Sequence, residues 1–183
     1  MPSYLYLVAL LPPPPVRERV RELKEEMRHR FRAGHALKSP AHITLQMPFR
    51  LDSQDESHLI SLLGRFASGQ APFPVDLDGF GCFPPRVLFL KIEDHKPLVA
   101  LMEALQAVLA REPSLGIEGS GLPFHPHMTI ATRDLKEEAF YQAWAEFKDR
   151  PFEAAFEVRS LFLLQHNGQF WEIYREFKFG EGT

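Results

Sequence analysis

The pattern histidine, any residue, threonine, aliphatic residue occurs twice in this chain, as "HITL" from residue 42 and as "HMTI" from residue 127. An apolar segment and an amphipathic segment precede each copy, and 38 positions separate Tyr4 from His42 while 39 separate Leu88 from His127. Each half therefore reads as strand, helix, motif strand, helix, strand. This repeated order predicts a duplicated fold in which the two motif strands face each other across a central cleft.

The hydrophobic periodicity assigns the individual elements. Apolar runs or period-two alternation predict strands, and apolar residues at spacings of three and four predict helices. Asn167-Gly168 is a two-residue hairpin signal between the last two strands. The predicted strands are 4–11, 42–49, 73–83, 87–92, 127–132, 156–166 and 169–177, and the predicted helices are 16–31, 53–67, 97–110 and 135–148.

These elements predict an α+β fold with two lobes related by a pseudo-two-fold axis. We expect two mainly antiparallel sheets, flanked by helices, around the central cleft. No segment rich in glycine or serine separates the sequence halves, roughly 1–84 and 85–183, so residues 1–183 are expected to form a single bilobal domain. The prolines at 12–15 are interpreted as a rigid connector into the first helix; a ligand for a proline-recognising domain is the alternative.

The composition of the chain limits the classes of partner that it can bind. The chain of 183 residues has a formal net charge of −3, which argues against a protein that holds long duplex nucleic acid through its phosphates. A small nucleotide or an RNA terminus is compatible with it. The single cysteine, Cys82, cannot form an internal disulfide, and the apolar start is too short to span a membrane. We expect a cytoplasmic protein without a membrane partner; its oligomeric state is left open.

The two motifs present polar pairs on rigid strands. Side chains alternate along a strand, so His42 and Thr44 point to one face, as do His127 and Thr129. One neutral imidazole can accept a proton while a charged one donates a proton, and threonine hydroxyls can donate hydrogen bonds to phosphate oxygens. This set of side chains suits displacement at the phosphorus of a phosphodiester, without a metal or another cofactor.

Two other kinds of site fit the sequence less well. Two histidines can bind zinc, but a catalytic zinc usually has three protein ligands, and neither motif has an acidic or cysteine residue at ligand spacing. A serine or cysteine nucleophile is also disfavoured, because the pattern Gly-x-Ser-x-Gly is absent and Cys82 is interpreted as packing within a strand.

The paired motifs, their separation and the duplicated order resemble the two-histidine phosphoesterase superfamily, which includes 2',5' RNA ligase-like proteins and 2',3'-cyclic phosphodiesterases. This resemblance implies metal-independent action on a 2',3'-cyclic phosphate or a 2',5'-linked phosphodiester. It makes His42 the proton donor, His127 the proton acceptor, and Thr44 and Thr129 the phosphate ligands, although donor and acceptor can be reversed. Thr132, not arginine, stands five residues after His127.

Several other residues are secondary candidates. Arg133 shares the parity of His127 and Thr129, so it is a candidate phosphate ligand, with a solvated arginine as the alternative. His125 is interpreted as structural or as part of the rim. Lys38 and Arg86 could steer phosphate, but surface positions are favoured for both. Four aromatic residues could stack against a base, but core packing is favoured for most of them; these are Phe80, Phe83, Phe124 and Trp171. His35, His58, His95 and His166 are interpreted as ordinary surface or turn residues.

A second functional hypothesis comes from another class of protein. A non-catalytic RNA- or nucleotide-binding module could use the same cleft without turnover. The pH dependence distinguishes the two, because catalysis by two histidines predicts a bell-shaped rate profile.

Overall fold

The first strand, β1 (Ser3–Leu10), lies inside a sheet and not at its edge. Its second half is fully buried, which is typical of a strand covered on both faces. In the computed structural model, which describes residues 1–180, β1 pairs with a strand on each side, both antiparallel. The remaining strands are β2 (Ile43–Asp52), β3 (Phe73–Phe83), β4 (Val87–Ile92), β5 (His127–Ala131), β6 (Glu153–Val158), β7 (Ser160–His166) and β8 (Trp171–Lys178).

Two four-stranded antiparallel sheets organise the molecule. Their strand orders are β2-β1-β7-β8 and β5-β4-β3-β6. The strands that carry or directly follow the two histidines, β2 and β5, therefore occupy an edge of their respective sheets, and they contact each other. The predicted α+β class with two antiparallel sheets is confirmed.

Each sheet draws strands from both halves of the sequence. The late strands β7 and β8 complete the sheet begun by β1 and β2, whereas the early strand β3 lies between β4 and β6. A boundary at residue 84 consequently does not separate the two sheets. The two halves exchange their last strands, and the resulting backbone hydrogen bonds hold the halves together.

The prediction of one strand over 156–166 is wrong. One strand ends before the exposed Arg159 and the next begins after it, and these strands, β6 and β7, belong to different sheets. The burial pattern changes at the same point: β6 alternates between exposed and buried residues, whereas β7 begins with five buried residues in succession. β6 is half-covered and β7 is covered on both faces, so no single strand could satisfy both patterns.

The last hairpin is confirmed, but its turn is longer than predicted. The final cross-strand pair is His166 with Trp171, so residues 167–170 form a four-residue loop. The Asn167 N–H donates to the Phe170 carbonyl, and the Asn167 side-chain oxygen accepts from the N–H groups of Gln169 and Phe170. These bonds close the longer loop, in which Gly168 adopts a positive φ of 103°.

The four helices pack against the two sheets. The first helix starts with Pro14, whose missing N–H costs nothing at that position, and it buries the predicted stripe that includes Val16, Val20 and Met27. It packs against β5 of the second sheet, while the third helix packs against β2 of the first. The helices are α1 (Pro14–Phe31), α2 (Glu56–Ser68), α3 (Lys96–Ala110) and α4 (Glu137–Phe147).

The main hydrophobic core is continuous between the sheets. One cluster joins Val8 and Leu10 of β1 to Leu88 and Leu90 of β4. Within residues 1–180, none of the helices is long and apolar enough to cross a membrane.

Candidate active site

The two motif strands meet in the cleft with the predicted alternation. Ile43 and Leu45 are buried on one side of the first motif, and Met128 and Ile130 are completely buried in the second. The threonines between them are only partly buried. The apolar residues fix each strand in its core, so the polar face is held towards the cleft.

Both imidazoles are fixed by the same local hydrogen bond. Nδ1 of His42 donates to the carbonyl oxygen of Pro40 at 2.7 Å, and Nδ1 of His127 donates to the carbonyl oxygen of His125 at 2.6 Å. In each case the acceptor lies two residues earlier in the chain. Since a carbonyl can only accept, the proton of each neutral ring is placed on Nδ1. Nε2 of each ring remains available to accept or donate a proton.

Burial favours the neutral form of both imidazoles. It lowers the pKa of His42 to about 4, against the hydrogen bond to Pro40, and the charges of Lys24 and His127 lower it further. Burial also lowers the pKa of His127, with a smaller contribution from His125.

Aromatic rings hold His127 in place. The ring of Phe83 meets it edge-on with a centroid separation of 5.1 Å, and the ring of Phe89 lies 5.0 Å away. His125 contacts the same two rings and stacks edge-on against His95. His95 and His125 thus form a layer behind the candidate catalytic histidine, which the sequence interpretation of His95 as an ordinary surface residue missed.

One end of the cleft is a small polar cavity of about 160 Å³ that combines residues from both motifs. Its lining includes His42 and Thr44 from the first motif and Thr129 from the second. Arg133 lies at its border although β5 ends at Ala131, because Arg133 adopts a positive φ of 58° in the turn after the strand. The structure therefore brings together the site residues predicted from the sequence, with His127 lining the adjoining cavity.

Further basic side chains line this polar cavity. His35 and Lys38, from the short helical turn that follows α1, lie there with Arg133. Burial lowers the pKa of His35, and the charges of Arg133 and Lys38 lower it further. Asp134 accepts hydrogen bonds from the N–H groups of Gly34 and His35, which fastens this turn to the end of β5. The interpretation of His35 as an ordinary surface or turn residue misses this clustering, which favours the phosphate-steering alternative for Lys38.

The other end of the cleft is an apolar cavity of about 370 Å³. Thr44 and Met47 border both cavities, so the two are continuous at the first motif. Phe83, Phe124 and His127 line the apolar part, together with the loop before β5. Such a mostly apolar hollow beside a polar one suits a ligand with one flat apolar end and one charged end.

A buried glutamine fixes the loop over the apolar cavity. Gln46 is 2 % exposed, and its amide donates to the carbonyl oxygens of Glu118 and Met47. Its own oxygen accepts from Gln106 of α3 at 2.7 Å. This buried amide has partners for its oxygen and nitrogen, and it links β2, α3 and the 116–126 loop, which explains a polar residue directly after the apolar part of the motif.

A buried lysine lies behind His42. Lys24 of α1 is 3 % exposed, and its Nζ donates to the carbonyl oxygen of Ser39 at 2.9 Å. Burial lowers its pKa to about 8. Ser39 precedes Pro40, whose carbonyl orients His42, so Lys24 steadies the segment that holds the ring. The signal in the sequence is a lysine four positions after Val20, on the buried stripe of α1.

Of the remaining secondary candidates, Trp171 lines the polar cavity, whereas Phe80 and Arg86 lie outside the cleft. Phe80 is buried in the core against Phe147, and Arg86 is exposed in the turn between β3 and β4. Burial raises the pKa of the Cys82 thiol, which lies within β3. Within residues 1–180, no group of three or more histidine, cysteine or acidic side chains converges as a metal site would require.

Two antiparallel sheets meet at the edge strands β2 and β5, which bring the two His-x-Thr segments to one cleft. The family model of the 2'-5' RNA ligase superfamily matches residues 12–169. The chain belongs to this superfamily.

Relatives with similar sequences carry a consistent name. A protein of Geobacillus kaustophilus is 29 % identical over 180 residues, which cover 96 % of each chain. A protein of Halalkalibacterium halodurans is 28 % identical over 180 residues, covering 96 % of this chain and 98 % of the relative. Both are named "Putative phosphoesterase". The family and these relatives together support a phosphoesterase of the two-histidine type.

Solved structures share the fold over almost the whole chain. TT0787 of Thermus thermophilus is 26 % identical, with a TM-score of 0.68 and coverage of 95 % of this chain and 97 % of that one. LigT of E. coli, crystallised with 3'-AMP, has a TM-score of 0.72 at 22 % identity, with coverage of 97 % and 99 %. The likeness to LigT shows the fold alone.

Proposed function

We propose that this protein is a metal-independent phosphodiesterase that acts on a 2',3'-cyclic phosphate or a 2',5'-linked phosphodiester of a nucleotide or RNA end. The observation that carries this proposal is the equivalent fixing of two histidines in one cleft. Each imidazole has Nδ1 bound to the carbonyl two residues earlier, so each presents Nε2 for proton transfer. Two such groups are what a general acid and a general base require.

The reaction needs one proton acceptor and one proton donor. His127 takes a proton from water, and the water oxygen forms a bond to phosphorus. The bond from phosphorus to one ribose oxygen breaks, and His42 donates a proton to that departing oxygen. The hydroxyls of Thr44 and Thr129 donate hydrogen bonds to the phosphate oxygens, and Arg133 supplies a positive charge beside them.

The negative charge of the substrate allows a histidine that is neutral in the free protein to act as an acid. A proton donor must be an imidazolium, yet burial lowers the pKa of both rings in the free protein. A phosphodiester bound between the rings brings a negative charge, which stabilises the imidazolium and raises the pKa. Binding the substrate therefore helps to create the acid.

The shape of the cleft supports a nucleotide as the ligand. The polar cavity with Thr44, Thr129 and Arg133 suits the phosphate, and the apolar cavity beside Phe83 and Phe124 suits the base. The fold neighbour LigT has been crystallised with 3'-AMP, ATP and NADP+. These ligands of LigT agree with a small nucleotide as the ligand of this protein.

The activity is tested with purified protein in the presence of EDTA. The four nucleoside 2',3'-cyclic phosphates and a set of 2',5'-linked dinucleotides serve as substrates. Turnover is expected with at least one of them, and His42→Ala or His127→Ala should lower kcat by on the order of 10² to 10⁴. His29→Ala, an exposed histidine of α1 outside the cleft, is the matched control. Binding without turnover would instead support a nucleotide-binding module.

The pH profile separates donor from acceptor. A bell-shaped profile of kcat against pH is expected for the wild type. Loss of the donor removes the basic limb, and loss of the acceptor removes the acidic limb. His42→Ala should therefore retain the acidic limb and lose the basic one in its residual activity. Loss of the acidic limb in this variant would reverse the assignment of the two histidines.

A further inference from the structure

A second cavity, of about 500 Å³, lies beside the cleft on the outer side of the Ser39–Ala41 segment. One wall is a face of α1, and the opposite side is formed by the hairpin loop between β7 and β8. We call this cavity the α1 groove. It lies outside the phosphodiester site described above. Among its basic side chains, Arg21, Arg28 and Lys38 are exposed, Arg17 is partly buried, and Lys24 is buried.

The positive charge of the α1 groove is not fully neutralised. The groove includes two acidic residues, Glu18 and Glu25, and Glu25 already pairs with Arg28 at 2.7 Å. Among residues 1–180, no carboxylate lies within ion-pair distance of Arg21, which is exposed. The chain as a whole has a net charge of −3, so this concentration of cations is local.

Two aromatic residues cover the other side of the α1 groove. Phe170 is 42 % exposed at the end of the hairpin loop, and Trp171 is partly buried next to it. Their positions are fixed, because Phe170 N–H donates to Asn167 and the Trp171 ring stacks edge-on against His166 at 5.0 Å. A cationic wall facing exposed aromatic rings is the arrangement that binds single-stranded nucleic acid.

The α1 groove and the polar cavity share a border. Lys38, Ser39 and Trp171 line both. A chain that leaves the polar cavity past Lys38 and Trp171 thus enters the α1 groove directly. The volume of the groove is on the order of one or two nucleotides.

We propose that the α1 groove binds the single-stranded RNA that leads away from the reacting phosphate. The exposed side chains of Arg21 and Lys38 contact the phosphates, and Phe170 stacks against a base. The α1 groove thus extends the binding site beyond the scissile phosphodiester. This inference rests on the proposed function for its orientation, but the groove can be tested separately.

The kinetic test compares two substrates. These are a nucleoside 2',3'-cyclic monophosphate and an eight-nucleotide single-stranded RNA that ends in the same 2',3'-cyclic phosphate. The wild type is expected to have a higher kcat/KM for the RNA. Arg21→Glu should lower kcat/KM for the RNA by on the order of tenfold and leave the mononucleotide unchanged. Arg65→Glu, at an exposed position of α2, is the matched control and should change neither value.

The aromatic side of the α1 groove is tested in the same assay. Phe170→Ala should lower kcat/KM for the RNA by roughly fivefold through lost stacking, again without an effect on the mononucleotide. Tyr141→Ala removes an aromatic side chain of similar exposure from α4 and is the control. Equal kcat/KM for both substrates in the wild type, with no effect of Arg21→Glu, would overturn the proposal and leave the proposed function intact.

A binding measurement tests whether the α1 groove binds RNA, independently of catalysis. Fluorescence anisotropy follows the affinity of an eight-nucleotide RNA with a 3'-phosphate for the wild type and for Arg21→Glu at several salt concentrations. Weaker binding and a shallower salt dependence in the variant support the groove, even if neither substrate is hydrolysed and the proposed function fails. Identical binding curves contradict it, whatever the activity.

Discussion

At the scale of single residues, His42 couples the stability of the fold to pH. Its pKa is about 4 in the folded protein and has an ordinary value of 6.5, so the unfolded chain binds a proton more readily between these values. Stability is fully present above about pH 6.5 and decreases as the pH falls towards 4. The lowered pKa of His127 acts in the same direction.

Denaturant unfolding at pH 7 and pH 5 measures this coupling. His42 should make the free energy of unfolding about 2 kcal/mol lower at pH 5 than at pH 7. His42→Gln should remove this part of the pH dependence, whereas His29→Gln, on the exposed face of α1, should retain it. An unchanged difference between the two pH values in His42→Gln would contradict burial of an uncharged imidazole.

Lys24 provides a second prediction at this scale. Lys24→Met keeps most of the buried volume but removes the positive charge that lowers the pKa of His42. The pKa of His42 is therefore expected to rise above 4, which NMR titration of the imidazole proton signals can follow. Lys148→Met, at the exposed end of α4, is the control. An identical titration of His42 in Lys24→Met would show that the lysine has no electrostatic role there.

At the scale of elements, β3 and β4 support the second motif by close packing. A Cβ added at Gly81 would lie 2.5 Å from the ring of Phe89, which is 3 % exposed and contacts His127. Gly81 is thus needed for the close approach of β3 to this ring. The strand pair thus sets the position of the imidazole.

Gly81→Ala tests this support. The displaced Phe89 ring should lower the free energy of unfolding by about 1–3 kcal/mol and perturb the NMR signals of His127. Gly64→Ala is the control, because the nearest atom to its added Cβ is 3.7 Å away and alanine favours a helix. Equal stability and an unchanged His127 spectrum in Gly81→Ala would mean that β3 can shift at no cost.

Elements were predictable where periodicity was unambiguous. The stripe of α1 and the alternation of both motif strands follow from local sequence, and each observed helix overlaps its prediction to within three residues at either end. The failure at 156–166 has a physical cause. β6 and β7 are joined by the single residue Arg159, so they look like one continuous strand in the sequence. They are separate strands because they belong to different sheets.

At the scale of the whole molecule, strand exchange makes the halves interdependent. β1 needs β7 as a neighbour, and β3 needs both β4 and β6. A fragment of residues 1–84 or 85–183 leaves these edges unpaired and its apolar faces uncovered. That residues 1–183 form a single domain stays a prediction, and the fragments provide its test.

Neither fragment is expected to fold alone. Separately expressed residues 1–84 and 85–183 should lack dispersed amide signals in NMR spectra and cooperative thermal transitions, and mixing them should restore both. The intact chain measured under the same conditions is the reference. A cooperative transition in either isolated fragment would contradict the interdependence and favour two autonomous lobes.

The sequence by itself determined the duplicated order, the α+β class and the polar faces that carry His42, Thr44, His127 and Thr129. These follow from local periodicity, which dictates the buried face of each element. Only the tertiary structure decided which sheet each strand joins and which distant residues surround the motifs. α1 and the turn after it pack against β5, which contacts β2. This packing brings Lys24, His35 and Lys38 near the first histidine. Local periodicity does not specify such long-range partners.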